Sequence, residues 1–486
     1  MNYTGFLNVY KEKGMTSMAV CARIRRILHV TKAGHAGTLD PMAEGVLPVA
    51  LGRACKSIDE AGDRTKVYRA GMLLGTVTDT QDITGNVISV KDVSVDKNEI
   101  EAAINSFLGE YDQLTPMYSA RQIDGRRLYD IARSGETVER PVKKIEIFDL
   151  KIESINIPHV VFTVKCTKGT YIRTLCNDIG EKLGCGACME KLERLSVGDF
   201  LIEDSLHFED IEKLEADGRI DETLKIITPT AVSIGKFDGT HEGHKALLSE
   251  LRKSAQKKGL RSLVLILDVP GKCIEEKEAR KEYILSTGID YCLEYTLGDE
   301  LKNMNAGDFL KNVLCGRLNM KYLVAGKDVC FGKGREGNAD FLKTHASEYG
   351  YSFRLIDKIK LDETVISSTL LREEIASGNM ENAGRLMGRP FTVSGTADDK
   401  GRIKINDGLL MPPYGVYETS TMIILKEDKQ TRNDLTAPKN RNAVIIKGTS
   451  ELYEEEGNIY LKPCTTEETD ISFKSVRIMF GSGCGR

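Results

Sequence analysis

Apolar and polar positions along residues 1–205 follow no single rhythm. "TSMAVCARIRRILHV" sets Val20, Ile24, Ile27 and Leu28 at helical spacing behind a Thr16/Ser17 cap, which predicts a helix. "KVYRAGMLLG" and "VVFTVKCTKGTYIR" are rich in β-branched and aromatic residues and read as strands. Strands and helices mixed in this way predict an α+β domain with a mixed sheet over 1–205. Beyond residue 228 the pattern becomes regular. Strand "TAVSIG", helix "GHKALLSELRKSAQKKG" and strand "SLVLIL" are followed by strands "KYLVAG" and "YSFRLID", separated by helical stretches. That alternation predicts a doubly wound parallel sheet over 229–388. From about Gly388 short strands separated by Gly/Pro turns predict a small β domain, 389–486. Between the two large parts lies "LIEDSLHFEDIEKLEADGRIDETLKI". Its Leu206, Phe208, Ile211 and Leu214 make a modest apolar stripe, so 206–228 reads as an acidic linker with a short solvated helix.

Composition adjusts this outline in three places. The 486 residues exceed what one core supports, which agrees with several domains. No apolar run reaches membrane-spanning length and "MNYTGFLNVYKEKG" has no signal-peptide pattern, so no membrane contact is expected. Twelve cysteines in that context read as reduced thiols, and the expected location is cytoplasmic. The net charge of −4 is concentrated in 201–228, where nine acidic residues face three basic ones. Neither large part is strongly basic, so a nucleic acid would be held by a local patch.

Two stretches carry candidate chemistry. "GHAGTLDPMAEGVLPVALG" sets Asp40 between Leu39 and Pro41 in a glycine-rich loop. An Asp before Pro commonly caps a turn; a carboxylate held on a rigid loop can also act on a substrate. "SIGKFDGTHEGHKALL" places His241 and His244 on one face of a helix that follows a strand. Gly239, Gly243 and the helix N-terminus there offer backbone N–H groups to phosphates. A third ligand at zinc spacing is missing, so no metal site is expected. "CGAC" at Cys185–Cys188 is a single C-x-x-C and reads as coincidental.

Five blocks in order extend the first reading: "GFLNVYKEKGMTS", "GHAGTLDPMAEGVLPVALGRACK", "KVYRAGMLLGTVTDTQDITG", "PMYSARQIDGRRLYDIARSGETVERP" and "KGTYIRTLCNDIGEKLG". Together they resemble the tRNA pseudouridine-55 synthase (TruB) family across nearly all of residues 1–200. The resemblance implies isomerisation of a uridine in the T-arm loop of tRNA, with no metal or organic cofactor. It puts the essential aspartate at Asp40. The aromatic that packs on the extruded uracil falls at Tyr68, and the arginine that pairs with the carboxylate at Arg173. His35 falls where a family residue helps occupy the space the base leaves. Arg126 and Arg127 are candidate phosphate contacts, with Arg23, Arg25, Arg26, Arg140, Lys143 and Lys144 as further basic candidates. The chain departs from the family at Arg121-Gln122, where Leu-Lys is common, and in lacking the small RNA-binding domain that commonly follows.

In the second half, "VISSTLLREEIASGNMENAGRLMGRPF" and "LVAGKDVCFGKGREGNADFL" resemble bacterial FAD synthetases over roughly 229–390. That resemblance implies transfer of AMP from ATP to FMN, with Mg²⁺ helping. His241 and His244 would contact ATP phosphates. Ser367, Ser368, Thr369 and Arg372 would approach them from the opposite side. "GKDVCFG" departs from G-x-D-F-R-F-G at Val329 and Cys330, and "LVLILDVPGKC" lacks the family's T-F-x-P-H-P ending, so the flavin side looks altered. Residues 389–486 begin like a riboflavin kinase and keep "LLMPPYGVYET". Their "GTADDKGRIKIN" replaces that family's G-x-P-T-A-N, so no kinase activity is expected. A non-catalytic ATP/flavin-binding module, or transfer to another phosphate ester, is the alternative for this half.

Overall fold

The structure is a computed structural model and describes residues 3–62, 64–119, 122–123, 125–128, 131, 134, 138–361, 364–398, 401–424, 443–464 and 475–481. The chain divides into two compact units, Met1–Ile227 and Thr228–Arg486.

The first unit is built on one mixed sheet. Gly5–Lys11 pairs antiparallel with Glu44–Leu51, whose start runs parallel to the later part of a long strand, Ala187–Val197, at Glu193 and Arg194. Lys66–Leu74, His159–Cys166, Val142–Asn156 and Gly109–Leu114 continue the sheet, all antiparallel. Helices Lys97–Asn105 and Ile172–Leu183 bury Ile100, Ile104, Leu175 and Ile179 against it. The expected first helix spans Ser17–Ile27, and the Thr16 side chain accepts the Ala19 N–H at 3.1 Å as its cap. Val20, Ile24 and Leu28 are fully buried, as their spacing requires.

The acidic segment corrects the expectation of a linker. Its helix, Phe208–Ala216, buries Phe208 and Ile211, and Ile220, Leu224 and Ile226 follow them inward. Its two ends also cover the outer edge of Gly5–Lys11. Tyr10 N donates to Leu206 O at 2.9 Å, and Phe6 and Lys225 exchange backbone bonds at 2.8 and 2.9 Å. The helix carboxylates Glu209, Asp210 and Glu212 are exposed while the apolar stripe closes an otherwise open sheet edge. Arg23, a candidate phosphate contact, stacks 3.9 Å above the Phe208 ring and pairs with Glu212 at 3.5 Å, so it is spent on this docking.

The second unit contains the expected doubly wound sheet. Its parallel strands run in the order Tyr291–Thr296, Arg261–Asp268, Thr230–Gly235, Met320–Gly326, Ser352–Ile356. The strand order reverses at Thr230–Gly235, which leads into helix Glu242–Lys258. A closed six-stranded barrel follows, formed by Thr392–Ala397, Ile403–Ile405, Asn458–Pro463, Ala443–Glu455, Gly415–Ile424 and Ser475–Phe480. The boundary at 388/389 is a change of secondary structure without a break in packing. Ile274, Ile366, Leu371 and Ile375 of the parallel-sheet part share one core with Phe391, Val393, Ile478 and Phe480 of the barrel. Among the described residues no helix is long and apolar enough to cross a membrane.

Candidate active sites

In the first unit Asp40 lies on the loop between the short strand Ala33–His35 and Glu44–Leu51. The loop has no regular structure, so its carbonyls need outside donors. Ser17 Oγ donates to Leu39 O at 3.1 Å and accepts the Leu39 N–H at 3.0 Å. Gly14 N reaches Pro41 O at 2.7 Å, Ala43 N reaches Asp40 O at 3.0 Å, and Lys11 Nζ reaches Ala43 O at 2.5 Å. Arg194 supplies the remainder: Nη2 to Gly37 O at 3.1 Å, Nη1 to Thr38 O at 3.4 Å and Nε to Val46 O at 2.7 Å. Every carbonyl from Gly37 to Pro41 therefore accepts a bond. The loop can come this close to Arg194 only because position 45 is glycine. Its φ is +101°, and a Cβ there would lie 2.4 Å from Arg194 O.

The side chain so held is not a simple turn cap. Asp40 Oδ2 is 3.0 Å from Arg173 Nε; the Asp40 side chain is 39% exposed and that of Arg173 only 7%. Arg173 stands in the first turn of Ile172–Leu183, where the rigid helix fixes it. Its other nitrogens donate to Thr80 O at 3.1 Å and Tyr118 O at 2.9 Å, and Nη1 lies 3.5 Å from Asp82 Oδ2. Asp82 is itself buried and accepts the Thr84 N–H at 3.0 Å. An accessible carboxylate is thus aimed by a buried guanidinium that has three further anchors.

The other expected residues fall differently. Tyr68 lies on Lys66–Leu74, paired across the sheet with Arg194, and packs in the core with Leu39 and Met42. Only 6% of it is exposed, so its ring supports the Asp40 loop from beneath and is not open to solvent as a stacking platform. Burial pushes its hydroxyl pKa up, opposed by Arg194. His35 is half-buried opposite Val49, with Nδ1 buried and unpartnered; burial first, then Arg194, lowers its pKa. Arg126 is exposed on a two-residue hairpin strand, while Arg121 and the side chains of Gln122 and Arg127 lie outside the described residues. Lys144 pairs with Glu110 at 2.7 Å. Sequence reasoning missed Lys11, Ser17, Asp82 and Arg194. Lys11, Ser17 and Asp82 stood inside quoted motif blocks; Arg194 had no motif to point to it.

In the second unit a cavity of about 640 Å³ opens beside the strand Thr230–Gly235. Its walls include Lys236, His241, His244, Arg335, Ser367 and Ser368. His241 caps helix Glu242–Lys258, accepting the His244 N–H on Nδ1 at 3.3 Å, and the two rings stack 3.8 Å apart. Burial lowers the His241 pKa to about 4; burial, then His241 and Arg280, take His244 well below its usual value. Both imidazoles are neutral near pH 7. The preceding turn is tight, with Phe237 at φ +50° and Gly239 at φ +71°. A Cβ on Gly239 would lie 2.7 Å from Leu371 Cδ2.

Ser367 caps helix Ser368–Ala376, and both serines reach the cavity. Thr369 and Arg372 are not on its walls, contrary to the sequence expectation. Thr369 is exposed, and Arg372 Nη2 is drawn to Asp238 Oδ2 at 2.5 Å and Lys272 O at 2.8 Å. Arg372 therefore braces the histidine turn: Asp238 Oδ1 also accepts the Ile274 N–H at 2.8 Å. At the altered positions Val329 and Cys330 line the cavity, and Arg335 Nε donates to Cys330 Sγ at 3.1 Å.

Fold and geometry together define an enzyme with a mixed-sheet carboxylate site, joined to a nucleotide-binding fold. Family models match accordingly: TruB family pseudouridylate synthase (N terminal domain) at residues 25–172, tRNA pseudouridylate synthase B C-terminal domain at 173–233, and FAD synthetase at 224–370. The second match takes in the whole acidic segment, so that segment belongs to the synthase sequence. The tRNA pseudouridine synthase B of Clostridium novyi (strain NT) is 46% identical over 257 residues, 51% of this chain and 88% of that protein. That of Clostridium perfringens (strain 13 / Type A) is 50% identical over 211 residues, covering 43% and 71%. That of Geobacter sulfurreducens is 46% identical over 221 residues, covering 45% and 73%. The chain belongs to the TruB family of pseudouridylate synthases and carries an FAD synthetase domain after the synthase.

Proposed function

We propose that the first unit converts a uridine in the T-arm loop of tRNA, position 55 by tRNA convention, into pseudouridine, with Asp40 as the acting carboxylate. The observation that carries this reading is the 3.0 Å pair between exposed Asp40 and buried Arg173. The base is detached from its ribose and reattached through carbon, so it must first leave its stack in the loop. Arg173 orients Asp40 toward the ribose, Tyr68 backs the Asp40 loop, and His35 flanks it. Arg126 and Arg127 are assigned to the RNA backbone. No metal or organic cofactor takes part. The test is Asp40→Asn in the full chain, incubated with an unmodified tRNA transcript. The variant should bind the transcript within about threefold of wild type and form no pseudouridine detectable by mass spectrometry. Product made by the variant at a wild-type rate would remove Asp40 from the mechanism.

The second unit is assigned the transfer of AMP from ATP to FMN, giving FAD and pyrophosphate. The supporting observation is the cavity bounded by His241, His244, Ser367 and Ser368 at the reversal of strand order, where doubly wound sheets bind ligands. Two neutral imidazoles and two helix N-termini suit triphosphate oxygens. Among the described residues no group of three or more His, Cys, Asp or Glu is disposed to hold a metal, so Mg²⁺ fits as an ion carried by the ATP phosphates. The barrel is not assigned riboflavin kinase activity, because its "GTADDKGRIKIN" replaces the phosphate-binding signature; Asp399 and Lys400 of that stretch lie outside the described residues. Full-length protein with ATP, Mg²⁺ and FMN should release pyrophosphate and FAD. ATP binding without FAD would instead favour a binding module or another phosphate-ester acceptor, a reading to which the displacement of Arg372 from the cavity lends some weight.

A further inference from the structure

Arg194 is fully buried, at 0% exposure. Its partners among the described residues are the carbonyls of Gly37, Thr38 and Val46 and the phenol of Tyr68, with no carboxylate within 4 Å. A buried guanidinium satisfied only by neutral oxygens is costly, since desolvation is not offset by an opposite charge. A cost of that kind is tolerated when the group fixes a geometry that the fold otherwise leaves loose. Here the geometry is specific. Gly37 and Thr38 stand just before Asp40, and Val46 lies beyond it at the start of the following strand. One planar fork therefore ties both ends of the Asp40 loop together. The backbone of the same residue pairs with Gly45 and with Tyr68 on the two neighbouring strands. Lys11 works from the other side of the loop with a single point charge, and burial lowers its pKa to about 8.

We infer that Arg194 is a positioning residue for pseudouridine formation, clamping both ends of the Asp40 loop so that the carboxylate and Tyr68 keep a fixed separation. It touches neither the RNA nor the reacting atoms. Three donors in one plane are required, and a lysine cannot supply them. A loop released by as little as an ångström misplaces the carboxylate enough to slow the reaction about 10²-fold.

The inference rests on the tRNA reading only for its kinetic arm. Full-length wild type, Arg194→Lys and Arg194→Met are compared by hydrogen exchange and by single-turnover pseudouridine formation on an unmodified tRNA transcript. In Arg194→Lys, amides of 36–43 should exchange at least about tenfold faster, while those of Lys66–Leu74 and His159–Cys166 keep wild-type protection. Its single-turnover rate should fall about 10²-fold with transcript affinity within about threefold, and Arg194→Met should be slower still. Loop exchange equal to wild type in Arg194→Lys overturns the inference whether or not the transcript is a substrate. So does a rate loss that merely follows the unfolded fraction of each variant. A wild type that leaves the transcript unmodified counts against the substrate alone, and the exchange arm still decides the role of Arg194.

Discussion

Arg173 meets four acceptors at once, two carboxylates and two main-chain carbonyls, at distances between 2.9 and 3.5 Å. Only a planar fork with separate donors can do so; a lysine offers one charge at one point. Arg173→Lys should therefore keep the fold and lower the single-turnover rate at least about 10²-fold, with transcript affinity little changed, as read by parallel rate and binding measurements. A variant at wild-type rate would show that charge alone suffices. At this scale the motif pointed to Asp40 and Arg173, and the pair is in place. The same reasoning put Arg372 among the phosphate ligands, and the structure gives it to Asp238 instead, because motif spacing does not say which of two nearby anions an arginine will choose. Lys11 and Arg194 carried no sign of burial in the sequence. A basic residue beside a glutamate, as Lys11 is beside Glu12 and Arg194 beside Glu193, reads as solvated, and only the assembled sheet shows that its stem runs inward.

The helix Ile172–Leu183 carries Arg173 at its start and Asp178 in its interior. Asp178 accepts the Tyr111 hydroxyl and the Asn177 amide, and burial, then the Glu181 charge, raises its pKa to about 7. The folded state thus holds a proton that the unfolded chain releases near pH 4. The stabilisation from this group is complete at low pH and is lost as pH rises through about 7. Chemical denaturation of the first unit should show stability declining between about pH 4 and 7 and level above that, and Asp178→Asn should flatten the decline; an unchanged slope would exclude Asp178 as its source. Gly184 ends the helix at φ +78°. The acidic segment reads as a linker because its carboxylates outnumber its basic residues nine to three. Few as they are, Phe208, Ile211, Ile220 and Leu224 suffice to cover a sheet edge that no local pattern announces.

Across the whole molecule the decisive feature is where cores begin and end. Phe391 is fully buried, its ring 5.6 Å from that of Phe480, in the cluster that also holds Ile274 and Leu371 beside the histidine turn. Phe391→Ala should cost about 3–5 kcal/mol and weaken ATP binding together with the barrel, leaving pseudouridine formation unaltered. Calorimetry and ATP titration of the full chain check this; loss of the barrel with ATP binding intact would mean that the two parts are independent. The amino-acid order alone determined the alternation of strands and helices, the mixed and doubly wound sheet classes, and the carboxylate and histidine motifs, because these are set by local periodicity and by short stretches of chain. Which arginine meets which acid, whether an aromatic faces solvent or core, and where one packed body ends were decided by the tertiary structure. Those outcomes depend on residues more than a hundred positions apart arriving at the same buried point, where desolvation and geometry choose among partners that the chain order leaves equivalent.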